Sequence, residues 1–182
     1  MFRQPAFGIA LSTLVFASGL MTAPIPGNSS TEPTTPNQPL LIPLSQAATL
    51  TTSFETTALE KSVFEEINRY RVTNKLPQLT LNANITQQAR IHSQNMANGQ
   101  VPFSHQGFEQ RVKAIPLPYN DASENVAVNQ GYSDPASEAI TGWLKSPGHL
   151  QNIQGNFDHT GIGVATNSQG EVYLTQIFIR TR

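Results

Sequence analysis

The chain predicts an α+β fold: a three-layer α-β-α sandwich around a small, mainly antiparallel central sheet. Three observations carry this. Gly161 to Thr166 and Glu171 to Arg180 flank Asn167-Ser168-Gln169-Gly170, two strand-like runs around a turn-forming tetrad, which reads as a hairpin. The second run is apolar on both faces, since Val172, Leu174 and Phe178 alternate with Tyr173, Ile177 and Ile179. A strand covered on both sides needs helices above and below it. Those helices are supplied upstream, where apolar residues recur at helical spacing.

Composition bounds the rest. The chain has 182 residues, 38% of them hydrophobic, enough for one globular domain. Its formal charge is -1 and its pI near 6.4. It lacks the basic footprint of a nucleic-acid binder or of a surface drawn to anionic lipid. There is no cysteine, so bridges, thiol chemistry and thiolate metal sites are excluded.

Residues 1–23 carry one early positive charge, Arg3, an apolar run from Pro5 to Leu20 and a small-residue exit at Ala17, Ser18 and Gly19. This is the pattern of a secretory leader, with an uncleaved N-terminal anchor as the alternative; neither adds a further transmembrane segment. Either way the rest of the chain faces an exported compartment: secreted, periplasmic or cell-surface. Residues 24–53 are rich in Pro, Thr, Ser, Asn and Gln and read as a disordered linker. The folded domain is expected over 54–182.

Within it, Leu59, Val63, Ile67 and Tyr70 mark a helix from Thr57 to Asn74, ended by Leu76-Pro77. Leu79 and Leu81 alternate. Asn82 is a cap for a second helix to Asn98, with Ile85, Ala89, His92 and Met96 as its buried stripe and Gly99 as the stop. A histidine on that stripe reads as a hydrogen-bonded core residue rather than a ligand. Val101 to Phe108 is a loop carrying His105 between two aromatics, and a helical turn follows from Phe108 to Ile115. Ser123 to Val128 enters a strand with Glu124 at its mouth. Asp134-Pro135 opens a helix through Trp143, with Ala136, Ala139, Ile140 and Trp143 facing inward. Ser146-Pro147 reads as an N-cap and first helical residue, which places His149 near the positive end of a short helix, where its proton is disfavoured. Asn28-Ser29-Ser30 and Asn84-Ile85-Thr86 match the glycosylation triplet but carry no functional weight, because such triplets are common by chance.

The residues with chemistry to offer are therefore His105, Glu124 and His149, on a loop, a strand mouth and a helix start. Two imidazoles and a carboxylate are the ligand set of a zinc site with an open fourth position. The same groups could serve as acid and base without a metal. Their intervals of 19 and 25 residues match no local metal motif.

A resemblance adds to this reading. Ala89 through Met96-Ala97, Phe103-Ser104-His105, Glu124-Asn125-Val126-Ala127, Trp143 to Ile153, Gly161 to Ala165 and Thr175 to Phe178 occur in the order found in the bacterial branch of the CAP superfamily. This is the cysteine-rich secretory protein, antigen 5 and pathogenesis-related 1 group, also called SCP-like, and the chain resembles it from about Ala58 to Arg180. The resemblance implies an α-β-α sandwich, an extracellular setting and a cleft lined in many members by two histidines and two acids. His105 matches the first histidine, Glu124 the glutamate of the Glu-Asn-Val-Ala segment and His149 the second histidine. In eukaryotic members a second glutamate lies three residues after the Trp; here that position is Ser146. With one carboxylate fewer, calcium is poorly served and zinc is the metal to test.

The function expected is that of a secreted or surface-tethered CAP-domain protein whose cleft binds a metal or small ligand, with no established catalysis. Trp143 and Ser146 would shape the cleft; His105, Glu124 and His149 would hold zinc or a polar ligand, with no other cofactor. Two alternatives stand beside it. One is a zinc-dependent, peptidase-like hydrolase built on the same three residues. The other is an interaction module for lipid or a cell-wall component, with the polar cluster purely structural.

Overall fold

A computed structural model describes residues 44–182, with side chains from Glu55 onward. The leader or anchor, the linker up to Pro43 and the Asn28 triplet lie outside the described residues. Helix α1 (Leu44–Thr73) is followed by β1 (Thr80–Leu81), α2 (Ala83–Ala97), α3 (Phe108–Lys113) and β2 (Tyr119–Gln130). Then come α4 (Pro135–Lys145), α5 (Pro147–Gln154), β3 (His159–Thr166) and β4 (Glu171–Thr181).

The sheet order is β1-β3-β4-β2. β4 pairs antiparallel with β3 and β2, while β1 joins β3 in parallel. The expected hairpin turn is present: Asn167 N–H donates to Glu171 O and Gly170 N–H to Asn167 O, with Gly170 at φ 80. The alternation in β4 sorts the layers. Leu174 and Phe178 face α1, α4 and α5 through Val63, Ile67, Ile140, Trp143 and Ile153. Ile177 and Ile179 face α2 and α3 through Ile85, Ala89, Val112 and Ile115. Full burial of a side chain such as Phe178 contributes about 1.5–3 kcal/mol.

The second helix forms as its sequence dictates. Asn82 Oδ1 accepts from the Asn84 and Ile85 amides at its start, and its buried face includes Ile85, Ala89, His92 and Met96. At its end Gly99 takes φ 67, while Gly99 N–H donates to Met96 O and Gln100 N–H to Asn95 O, satisfying the last carbonyls.

Two features depart from expectation. α1 begins at Leu44 rather than Thr57, so residues 44–53 of the expected linker are helical. That stretch has no Pro or Gly, and averaging over the Pro-rich region hid it; Pro43 stands where the helix starts. The close approach of α2 to the sheet was also not foreseen. A Cβ on Gly163 would lie 2.1 Å from Arg90 N, and one on Gly161 2.2 Å from Thr86 N, so the helix backbone rests directly on β3.

Arg71 ties the far end of the α1, α4 and α5 layer together. It is 1% exposed, and its guanidinium donates to the carbonyls of Pro77, Ile153, Gly155 and Phe157. A buried cation is tolerated only when its donors are matched; here they clamp the C-terminal end of α5, the helix that carries His149. Among the described residues, no helix is long and apolar enough to cross a membrane.

Candidate functional site

His92 fixes the loop on which His105 sits. It is 2% exposed, and its Nε2 is 2.9 Å from Ser104 O. Burial lowers its pKa, outweighing the opposite pull of that carbonyl, and nearby Arg111 lowers it further. His92 is therefore a neutral core residue that anchors the adjacent residue of the loop, in keeping with its place on the apolar stripe.

Glu124 pairs with Ile177 in the β2–β4 ladder and so faces the α2 and α3 side of the sheet. There it meets two partners. His105 Nδ1 is 3.0 Å from Glu124 Oε1. Arg111, on α3, donates Nη2 to both oxygens at 2.8 Å and Nε to Oε2 at 3.0 Å. A carboxylate only accepts, so His105 donates through a proton on Nδ1.

The opposite wall is α5, docked by amide side chains. Asn152 Nδ2 donates to Glu124 O and Asn125 Oδ1, and Asn125 Nδ2 donates to His149 O. Trp143 Nε1 donates to Val126 O at 3.0 Å. These bonds bring the His149 ring centre to 6.4 Å from that of His105, with the planes tilted by 53°. Burial, and then the neighbouring His105, lowers the His149 pKa. The direction agrees with the sequence, and burial is the larger cause. Ser146 holds the N-cap position through its backbone, accepting from Leu150 N–H, while its hydroxyl makes no capping bond.

His105 thus lies against Glu124 and near His149, whereas of the expected site residues it is Trp143, Ser146 and His149 that line a cleft of about 540 Å³, with His105 and Glu124 outside its lining. Its other walls include Phe103, Val128, Tyr132 and Glu138. Glu138 stands at the cleft without joining the His105–Glu124 cluster.

The donor set does not fit the three-ligand zinc centre. Both oxygens of Glu124 are already engaged by Arg111 and His105. With Zn–N bonds of about 2.0–2.1 Å and tetrahedral angles, two ligating imidazole centres stand roughly 5 Å apart, closer than the 6.4 Å found. Among the described residues, no group of three or more His, Asp or Glu is placed to hold a metal ion.

Sequence reasoning missed Arg111, Asn152, Phe103 and Tyr132 as site residues. Arg111 had one available signal: a buried glutamate needs a cation, and α3 directly follows the His105 loop.

Residues 64–178, more than half of the chain, match the profile of the cysteine-rich secretory protein (CAP) family. The chain is 33% identical over 129 residues to the uncharacterized protein YkwD of Bacillus subtilis, covering 67% of this chain and 47% of that one. It thus spans about half the length of this curated relative. An extracellular protein of Bacillus anthracis containing an SCP domain superposes with a TM-score of 0.61 at 26% identity, over 79% of this chain and 45% of the other. An outer surface protein of Borrelia burgdorferi shares the fold at TM-score 0.60 and 16% identity, over 69% of this chain and 94% of that one. The profile match and the bacterial relatives agree with the sandwich, and the chain belongs to the cysteine-rich secretory protein (CAP) family, as a member of its bacterial type.

Proposed function

We propose that this protein is an exported CAP-domain binding module, not an enzyme, whose cleft beside β2 takes an amphipathic small ligand such as a lipid or a cell-wall component. The observation that carries this reading is where apolar surface is left exposed. Phe103 is 49% exposed, Val128 38% and Tyr132 52%, and all three line the one cleft that also holds His149 and Ser146. Apolar side chains grouped in a concave site with a few polar groups are the usual makeup of a ligand pocket. His149, whose pKa burial lowers, offers the ligand an imidazole for hydrogen bonding.

Export is supported by the leader-like N-terminus and by the extracellular and outer-surface proteins that share the fold. The hydrolase alternative is not favoured. Arg111 and His105 hold the carboxylate that would serve as zinc ligand or base, and no hydrolytic step is assigned to it.

The test is titration of the purified full chain with Nile red, an uncharged apolar dye whose emission rises in a dry pocket. Wild type is expected to enhance the dye, and Phe103→Ser with Tyr132→Ser to abolish most of that response while urea unfolding stays cooperative. Equal dye responses in both proteins would remove the cleft as the binding site.

A further inference from the structure

We infer that the cleft's occupant is a short extended peptide carrying a basic side chain, paired as an added strand on the free edge of β2 at Val128. This rests on the proposed role of the cleft as a binding site and names its ligand class.

β2 is an outer strand of the sheet, with β4 on one side only. In an antiparallel ladder, alternate residues direct both backbone groups toward the partner strand or away from it. Glu124 O accepts from Asn152 and Val126 O from Trp143, so these residues present their backbone outward. By the same alternation Val128 and Gln130 do so too.

Proteins blunt exposed strand edges because an unpaired edge invites another strand. Here the covering stops midway. Asn152 and Trp143 close the edge at Glu124 and Val126, whereas the outward N–H and C=O of Val128 meet no partner among the described residues. The uncovered part lies inside the cleft, beside the exposed rings of Phe103 and Tyr132. The free N–H and C=O of Val128 between apolar walls are matched by one residue of an extended peptide, whose alternate side chains meet the walls.

Charge selects among peptides. Among the described residues, Glu138 is the only Asp, Glu, Lys or Arg lining the cleft, and it forms no ion pair. The Glu138 carboxylate gives the cleft negative charge and favours a Lys, an Arg or a free N-terminus opposite it. A volume of about 540 Å³ suits a few residues of chain rather than a folded partner.

The experiment passes a random hexapeptide pool, and the same pool N-methylated at alternate residues, over the immobilised full chain. Sequences are read by mass spectrometry, and the Val128 amide is followed by nitrogen-15 NMR. Retained peptides are expected to be rich in β-branched and aromatic residues with a Lys or Arg, and to shift the Val128 amide. N-methylation of a retained peptide should weaken binding about tenfold, the scale of one lost hydrogen bond. Val128→Pro, tolerated on an outer edge, should weaken it by a similar factor. Glu138→Gln should remove the preference for basic residues. Equal retention of both pools, or peptide binding unchanged by Val128→Pro, overturns the strand-pairing inference. A dye response that persists in that case keeps the cleft as a binding site, so the two readings fail separately.

Discussion

Arg111 Nη2 lies 2.8 Å from each carboxylate oxygen of Glu124, and the two side chains are 10% and 2% exposed. This makes a buried ion pair, with His105 attached to it, one wall of the histidine cluster beside the cleft. Breaking such a pair leaves a buried charge without its counter-charge.

Arg111→Leu is accordingly expected to cost about 3–5 kcal/mol, and Glu124→Leu a comparable amount. The double variant should cost much less than the sum, because it removes both charges together. Urea unfolding midpoints of the four proteins measure this coupling. Additive losses would show that the pair is not the support of this wall.

The contact of α2 with β3 gives a second prediction. Gly163→Ala places a methyl 2.1 Å from the Arg90 backbone nitrogen, where no side-chain rotation relieves the clash. A loss of at least about 1–3 kcal/mol is expected. Gly142, in α4, has open space around its missing Cβ. Gly142→Ala should stabilise by about 0.5–1 kcal/mol while narrowing the cleft that Gly142 lines. Thermal unfolding of both variants checks the opposite signs.

Stability should fall with acid in two separate windows. His92 and His149 both titrate below their ordinary value of 6.5 in the folded chain, chiefly through burial. The unfolded chain therefore takes up protons first, and stability declines as pH drops below 6.5 until the folded imidazoles also protonate. Asp158 behaves differently: burial raises its pKa, but hydrogen bonds from Thr181 and His159 outweigh this and bring it from 3.8 to about 2. Its contribution is present above 3.8 and is lost as pH falls toward about 2. Unfolding midpoints across pH should show both declines, and His92→Gln should shrink only the first. A flat profile between about pH 7 and 5 would contradict the buried neutral imidazoles.

For zinc, calorimetry on Glu124→Gln is expected to give the wild-type isotherm, since the carboxylate is already committed to Arg111 and His105. A drop in affinity of about tenfold or more in Glu124→Gln, matched in His105→Ala and His149→Ala, would restore the three-ligand centre.

Much of this architecture was legible because its signals are local. Asn82 and Asp134 cap the helices that their positions announce. The inward stripes of α2 and α4 follow from apolar spacing, and the two-faced apolar pattern of β4 required helices on both sides of the sheet. The order of the His, Glu and Trp segments was enough to signal the family, and it chose His105, Glu124 and His149 as neighbours before any distance was known.

The sequence by itself determined the layers, the caps and the cysteine-free core, because period, capping chemistry and residue type act over a few positions along the chain. Only the tertiary structure decided what the site residues do for one another. Arg111 reaches Glu124 across 13 residues, Asn152 reaches it across 28, and Arg71 reaches Ile153 across 82. Electrostatic pairing and backbone satisfaction depend on distance in space, which no spacing in the chain encodes. The same reason explains the cleft: which strand lies at the sheet's edge, and where Trp143 and Asn152 stop covering it, is fixed only once every layer is packed.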